Sequence, residues 1–409
     1  MKKLALFLSL LSILLLTACS NNKSNSSPQE TESIAEESDI TTVTWESEEE
    51  DNDDGNSIVI NPIEDSASID TSSDEDPTIS TSAEQQTGGA VKLVFAGDMD
   101  FDDRYTNMIA LRSRSNGILD CIGSTLVERM RNADICMINN EFPYSDRGTP
   151  LANKKFTFRA KPETAEFLNL LGVDIVSLAN NHAYDHGKDA LLDTFDTLTS
   201  NGIRYVGAGK NLSEAMTPQY FTINGTVISI VAATQIERSL PPDTVEATES
   251  SPGVLRTLDP EKFVSVIKNA KANSDVCIVF VHWGSENKSD FESSQAELAN
   301  AYVDAGADVI LGAHPHVLQG FDYIGDVPVL YSMGNYWFNS KTLDTCLVEL
   351  NLYDKRVESL QFIPCRQHDC KTEEMLPGTT QDYERILSDM RKMSTSKVNI
   401  DNDGFVTKK

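Results

Sequence analysis

Six short apolar runs end alike, and that shared ending constrains the 409-residue chain more than any other feature. Val91–Ala96 runs into Gly97, Asp98, Met99 and Asp100. Ile135–Ile138 runs into Asn139, Asn140 and Glu141. Val173–Leu178 gives way to Ala179, Asn180, Asn181 and His182, with Asp185 and Gly187 just beyond. Val276–Val281 is followed by His282, Trp283, Gly284, Ser285 and Glu286. Val309–Leu311 precedes Gly312, Ala313, His314, Pro315 and His316, and Val329–Tyr331 precedes Ser332, Met333, Gly334 and Asn335. Each run has the length and the apolar character of a buried strand. Ligands of open α/β sheets sit outside the carboxyl ends of the strands, so these endings are expected to meet at one crevice. Of the six histidines, His182, His282, His314 and His316 lie on these turns; His186 is close to the third, and His368 lies in the tail.

The stretches between the runs carry helical periodicity. Pro162 suits the opening of a helix with Ala165, Phe167, Leu168 and Leu171 on its apolar side, closed by Gly172. Further helices are expected near Lys188–Leu198, Glu261–Lys271 and Gln295–Asp304, and another strand at Val227–Val231. Beyond about residue 345 a polar tail carries a terminal helix near Gln381–Met390. Alternation of this kind implies sheets covered by helices.

The first 89 residues read differently. Lys2 and Lys3 precede an apolar run from Leu4 to Leu16, shorter than the roughly 20 residues a spanning helix needs. It reads as the core of a signal peptide, and it ends in Leu16-Thr17-Ala18-Cys19, which looks like the lipobox of a bacterial lipoprotein, with Cys19 the lipidated residue. Residues 20–89 hold nineteen Asp and Glu against one Lys, and so supply much of the net charge of −29. So polar a segment cannot offset its ordering entropy by apolar burial; it reads as a disordered tether spanning roughly 45 Å. The acidic balance argues against nucleic acid, which needs clustered Lys and Arg.

The expected crevice has readable chemistry. His, Asp, Glu and Asn together suit divalent Zn, Mn or Fe, and the absence of Cys from every turn argues against a structural zinc site. Histidines at i and i+2 around a proline can each face one of two neighbouring ions that share a carboxylate. Lys154, Lys155 and Arg159 form a basic cluster that either meets an anionic substrate or, as the better reading, makes a solvated face. Trp283 and Trp337 read as packing groups. Apart from Cys19, six cysteines remain; Cys365 and Cys370 are close enough in sequence to pair if the chain is exported.

Taken together, Gly97-Asp98, Asn139-Asn140-Glu141, Leu178–His182 with Asp185 and Gly187, His282-Trp283-Gly284 with Glu286, Gly312–His316 and Tyr331–Asn335 resemble the motif series of the CapA-type capsule-synthesis family. That family is associated with poly-γ-glutamate capsule production and belongs to the calcineurin-like metallophosphoesterase superfamily. The resemblance implies an α/β sandwich of two mixed β-sheets flanked by helices, in four αββα layers. It places Asp98 and His316 at a first divalent metal, Asn181, His282 and His314 at a second, and Glu141 between them. It makes His182 the general acid, or the group that orients water, and Asp185 its orienting partner. Arg159, Glu286 and Asn335 are candidates for touching substrate. Two departures leave one-ion and two-ion sites both open: Asp100, itself a candidate ligand, stands where the superfamily has His, and Glu141 where it has Asp.

The organisation expected is therefore a lipoprotein signal peptide (1–18), a lipidated Cys19 with its tether (19–89), a metallophosphoesterase-type domain (90–345) and a C-terminal extension with the last strands and a helix (346–409). Two functions stay open. One is a lipid-anchored, outer-face enzyme with a metal-dependent phosphoesterase-like hydrolase or transferase site, acting in capsule polymer synthesis or export. The other is a non-catalytic accessory factor that binds an anionic polymer, or membrane synthase and export proteins, and keeps the metal pocket.

Overall fold

A computed structural model describes residues 89–236, 244–378 and 381–409. The expectations for Cys19 and the acidic tether lie outside the described residues. Among the described residues, no helix is long and apolar enough to cross a membrane.

The chain begins with β1 (Val91–Met99), α1 (Thr106–Leu111), α2 (Ser124–Arg131), β2 (Ile135–Asn140), α3 (Glu166–Leu171), β3 (Ile175–Ser177), α4 (Gly187–Ser200) and β4 (Arg204–Val206). Short β5 (Ala208–Gly209) and α5 (Leu212–Ala215) lead into β6 (Gln219–Ile223) and β7 (Thr226–Thr234). Next come β8 (Gly253–Val254), α6 (Glu261–Ala272), β9 (Val276–His282), α7 (Ser293–Ala305), β10 (Val309–Ala313), β11 (Leu318–Ile324) and β12 (Val327–Met333). The last part holds β13 (Asn335–Trp337), β14 (Leu343–Tyr353), β15 (Arg356–His368), β16 (Lys371–Glu374), α8 (Gln381–Met393), β17 (Val398–Ile400) and β18 (Val406–Lys408).

Two large mixed sheets result. The first runs β16-β15-β14-β1-β2-β3-β4, with β13 also paired to β1; the second runs β11-β12-β10-β9-β7-β6. β1 to β4 are mutually parallel, as are β7, β9, β10 and β12, while β14 to β16 and the edge strands β6 and β11 run antiparallel.

Side-chain alternation explains the layering. Successive residues of a strand face opposite sides, and a strand covered on both sides is apolar on both. Along β1, Leu93 and Phe95 share an apolar cluster with Ile230 and Ala232 of β7 and with Ile278 and Phe280 of β9, which fills the space between the sheets. Val94 and Ala96 belong instead to the cluster that includes Leu126 of α2, Leu168 of α3 and Leu191 of α4. On the other sheet, Val279 and Val281 of β9 pack with Phe263 of α6 and Tyr302 of α7. The order is helix, sheet, sheet, helix, the four-layer αββα sandwich.

The residue-345 boundary falls inside β14, which pairs with β1 from Val91↔Leu352 to Ala96↔Leu347. The extension is therefore part of the first sheet. Cys365 and Cys370 are both free and buried, so the pairing that their short separation invited is not formed: Cys365 lies within β15, and Cys370 sits in the turn to β16 with φ +56°. Trp283 and Trp337 are fully buried packing groups; Trp283 donates to the Tyr331 carbonyl and Trp337 to that of Cys370.

Candidate metal centre

The strand endings converge. Asp98 is the penultimate residue of β1, where the register with β13 and β2 shifts. Its N–H donates to the Gly334 carbonyl at 3.0 Å. A Cβ on Gly97 would stand 2.0 Å from that same oxygen, so only glycine lets β1 and the β12–β13 connection approach so closely. Asp98 Oδ1 accepts from Asn139 Nδ2 at 2.7 Å, and Oδ2 lies 3.1 Å from His316 Nδ1. That nitrogen is 2.8 Å from Asn335 Oδ1.

On the facing side, His282 ends β9. Its Nε2 lies 2.8 Å from Asn181 Oδ1, 3.0 Å from His314 Nδ1 and 3.5 Å from Glu141 Oε1. Asn139 Nδ2 sits 3.3 Å from His282 Nδ1, so one amide touches ligand candidates from both sheets. Asn180 Nδ2 holds that amide in turn, donating to Asn139 Oδ1 at 3.1 Å. His314 and His316 adopt φ of +97° and +59°, left-handed backbone that costs non-glycine residues about 1–3 kcal/mol each. Strain of this kind persists where neighbours hold it, and here it aims both imidazoles into the crevice.

Two donor groups emerge: Glu141, His282 and His314, and Asp98, Glu141 and His316, with the donor atoms of each within 4.8 Å of one another. Glu141 belongs to both. It is fully buried, and neither carboxylate oxygen has a hydrogen-bond partner. A buried carboxylate without a hydrogen bond is costly when charged, and a cation between these groups would remove that cost. The donor set suits a divalent ion, and its oxygens and imidazoles fit Zn, Mn or Fe alike.

The electrostatics follow from crowding. Burial, then the charges of Asp98, Asp100 and Glu286, push the Glu141 carboxyl well above the usual range. Burial and the adjacent His314 and His316 drive His282 well below the usual imidazole value. For His316, burial alone would lower the pKa, but contact with Asp98 outweighs it and the net shift is upward.

His182 stands at the edge of this cluster. Its Nδ1 lies 2.7 Å from Asp185 Oδ2, and its Nε2 faces Glu141 Oε1 at 4.0 Å. Burial lowers its pKa, with Asp185 opposing. The Phe158 ring packs on it at 4.4 Å between centroids.

Other candidates sit elsewhere. Asp100 is buried but belongs to neither donor group; Oδ1 accepts from the Asp102 N–H at 2.8 Å, and burial followed by Asp102 raises its pKa well above the usual value. Its Oδ2 is buried without a hydrogen-bond partner, and its charge acts on Glu141. Glu286 is exposed on the turn after β9 and acts on Glu141 and His316 through its charge. Arg159 is half-buried; its N–H donates to Asp102 Oδ2 and its guanidinium to the Arg147 carbonyl, which places it beside His186 rather than among the donors. His368 pairs with Glu373 at 2.7 Å.

Three residues were not legible as site members. Lys154, read as part of a solvated face, is buried against Asp185 with a side chain only 6% exposed. Phe158 follows it on the same loop. Tyr105 packs on Phe158, and burial together with Asp100 and Asp102 raises its phenol. The motif pattern at strand ends carried no signal for a loop lysine or for aromatic packing.

Comparison with known proteins identifies the relatives of the chain. Residues 92–340 match the family described as bacterial capsule synthesis protein PGA_cap. The chain is 30% identical over 280 residues to the PGA biosynthesis protein CapA of Bacillus subtilis, covering 67% of this chain and 71% of that one. It is 33% identical over 247 residues to the capsule biosynthesis protein CapA of Bacillus anthracis, covering 58% of each. A probable polyglutamine synthesis accessory protein of Mycobacterium tuberculosis is 29% identical over 208 residues, 49% of this chain and 55% of that one. Among solved structures, a hypothetical protein from Thermus thermophilus aligns with TM-score 0.43 at 15% identity, over 68% of this chain and all of its own. The 5′-nucleotidase of Candida albicans aligns with TM-score 0.35 at 13% identity, over 65% and 47%. With six motif endings gathered at one crevice and the family match spanning all of them, the chain belongs to the bacterial capsule synthesis protein family.

Proposed function

We propose that this protein acts in the synthesis or export of an anionic capsule polymer of the poly-γ-glutamate type, through a divalent-metal site with phosphoesterase-like hydrolase or transferase chemistry. The observation that carries it is Glu141: a buried carboxylate with two unpartnered oxygens, shared by two donor groups. Asp98 and His316 would hold an ion on one side, His282, His314 and Asn181 on the other, with Glu141 between. Such an ion would polarise a substrate oxygen and favour hydroxide at neutral pH. His182 would give or take the proton at Nε2, which faces the donors, while Asp185 accepts from Nδ1–H and fixes the ring. An anchor at Cys19, supported by the apolar run and the Leu16–Cys19 box, would place the domain on the extracellular face of the cell membrane.

Elemental analysis of the full chain after loading with Mn, Zn or Fe tests the site; about one or two ions per chain are expected, and none would remove the metal reading. Turnover of bis(4-nitrophenyl) phosphate by the loaded chain separates the enzyme from a metal-holding accessory factor. Labelled palmitate lost on Cys19→Ser tests the anchor; equal labelling of both would dismiss it.

A further inference from the structure

We infer that Lys154 is a positioning residue that completes His182 and Asp185 into a three-member device. This rests on the proton-transfer role proposed for His182.

The loop between β2 and α3 crosses the mouth of the site without helix or strand of its own from 145 to 159. Its ends are held by Asp193, Arg104 and Asp102, and its middle is fastened to Asp185. The Leu151 N–H donates to the Asp185 carbonyl at 2.8 Å, the Phe158 N–H to Oδ2 at 2.7 Å, and Lys154 Nζ to Oδ1. Lys154 Nζ also donates to the carbonyl of Asn181, the residue whose side chain meets His282. One ammonium thus ties the acid–base pair to the turn that carries a metal-ligand candidate.

The arrangement is not what fastening a loop requires. Taking a lysine and an aspartate out of water is expensive, and apolar residues of similar volume often hold a fold as well or better. The Lys154 side chain is 6% exposed, and Asp185 is fully buried. What the pair supplies is orientation. With Oδ1 committed to Lys154, Oδ2 is left to face both the Phe158 N–H and His182 Nδ1, each at 2.7 Å, and Nε2 is then turned toward Glu141. Phe158, delivered by the same loop, packs against the imidazole face. Without the ammonium, the Asp185 carboxylate can rotate, and the direction of His182 goes with it.

The full chain carrying Lys154→Met or Lys154→Arg tests this with four readouts: metal content, melting curve, bis(4-nitrophenyl) phosphate kinetics, and the downfield proton of the His182 Nδ1–H bond in 1H NMR, assigned with His182→Gln. Lys154→Met should keep its metal and KM within about twofold, lose about 100-fold in kcat, and lose or shift the downfield proton. Lys154→Arg should recover most of the rate and the proton signal. An unchanged kcat in Lys154→Met, or a loss that tracks metal content or KM, overturns the inference. So does a well-folded Lys154→Arg that recovers neither rate nor signal. If the wild type turns over no phosphodiester, the enzyme reading fails by itself, and the NMR signal still decides the positioning role: unchanged in Lys154→Met, it refutes it.

Discussion

The two sheets contribute unlike halves to one site. The first supplies Asp98, Asp100, Glu141 and the amides of Asn139 and Asn181; the second supplies His282, His314 and His316. Glu141 and Asp100 are pushed toward protonation by burial and by neighbouring carboxylates, and His282 is pushed toward neutrality by burial and by its neighbouring imidazoles. Each half is electrostatically uncomfortable alone. The comparison teaches that a cation between them would relieve both, and that Glu141, shared by the two donor groups, is where the relief would be concentrated.

The largest effect should come from cutting that bridge. Glu141→Gln should weaken divalent-ion binding by at least about 100-fold, since losses in the outer shell alone reach 10–100-fold; titration of the stripped protein measures it. The same variant should melt higher than the metal-free wild type, because it removes a buried carboxylate with no partner. A lower melting point would show that Glu141 is satisfied without metal.

Gly97→Ala tests whether the halves must approach so closely. The added Cβ meets the Gly334 carbonyl, an overpacking that should cost about 3 kcal/mol, seen as a shift of the denaturation midpoint. Asp98 and Asn335 should part, and metal affinity should fall with stability.

pH separates the halves. Glu141 has a folded pKa above its usual 4.5, so the fold favours its protonated form. Stability from this group is present at low pH and is lost as pH rises from the unfolded value through the folded one. His282 has a folded pKa below its usual 6.5, so the fold favours the neutral ring. Its contribution is present above the unfolded value and is lost as pH falls through it toward the folded one. The metal-free protein should therefore be penalised by Glu141 on the alkaline side and by His282 on the acid side. Loading with metal should flatten the alkaline penalty. Melting curves across pH, with and without ion, check the sign of each arm.

The smallest effect is expected from Asp100→His, which gives the first sheet an imidazole of its own. Because Asp100 lies outside both donor groups, the gain in affinity for a second ion should stay below about tenfold, under the 10–100-fold typical of outer-shell changes. A larger gain would place residue 100 inside the coordination sphere.

Much of the site was legible because it is local. Asp98, Glu141, Asn181, His182, His282, His314 and His316 each follow an apolar run, and strand ends in α/β sheets are where ligands bind. Lys154 was not legible: a loop lysine looks the same in a sequence whether it is solvated or buried. Asp100, a ligand candidate by its place after β1, lies outside both donor groups, while its Oδ2 is buried without a hydrogen-bond partner. Cys365 and Cys370 are near in sequence, yet the β15–β16 turn leaves both thiols free.

Alone, the residue order marked the strands that carry the endings, several of the helices and the chemical type of each ending, since these depend on apolar periodicity and side-chain identity; β14 and β15, in what reads as a polar tail, it did not mark. Which endings face one another was decided only when the two sheets packed. Glu141 acquires unpartnered oxygens, and Lys154 loses its water, through burial by residues distant in the chain, and burial is a property of the packed sheets rather than of any short segment.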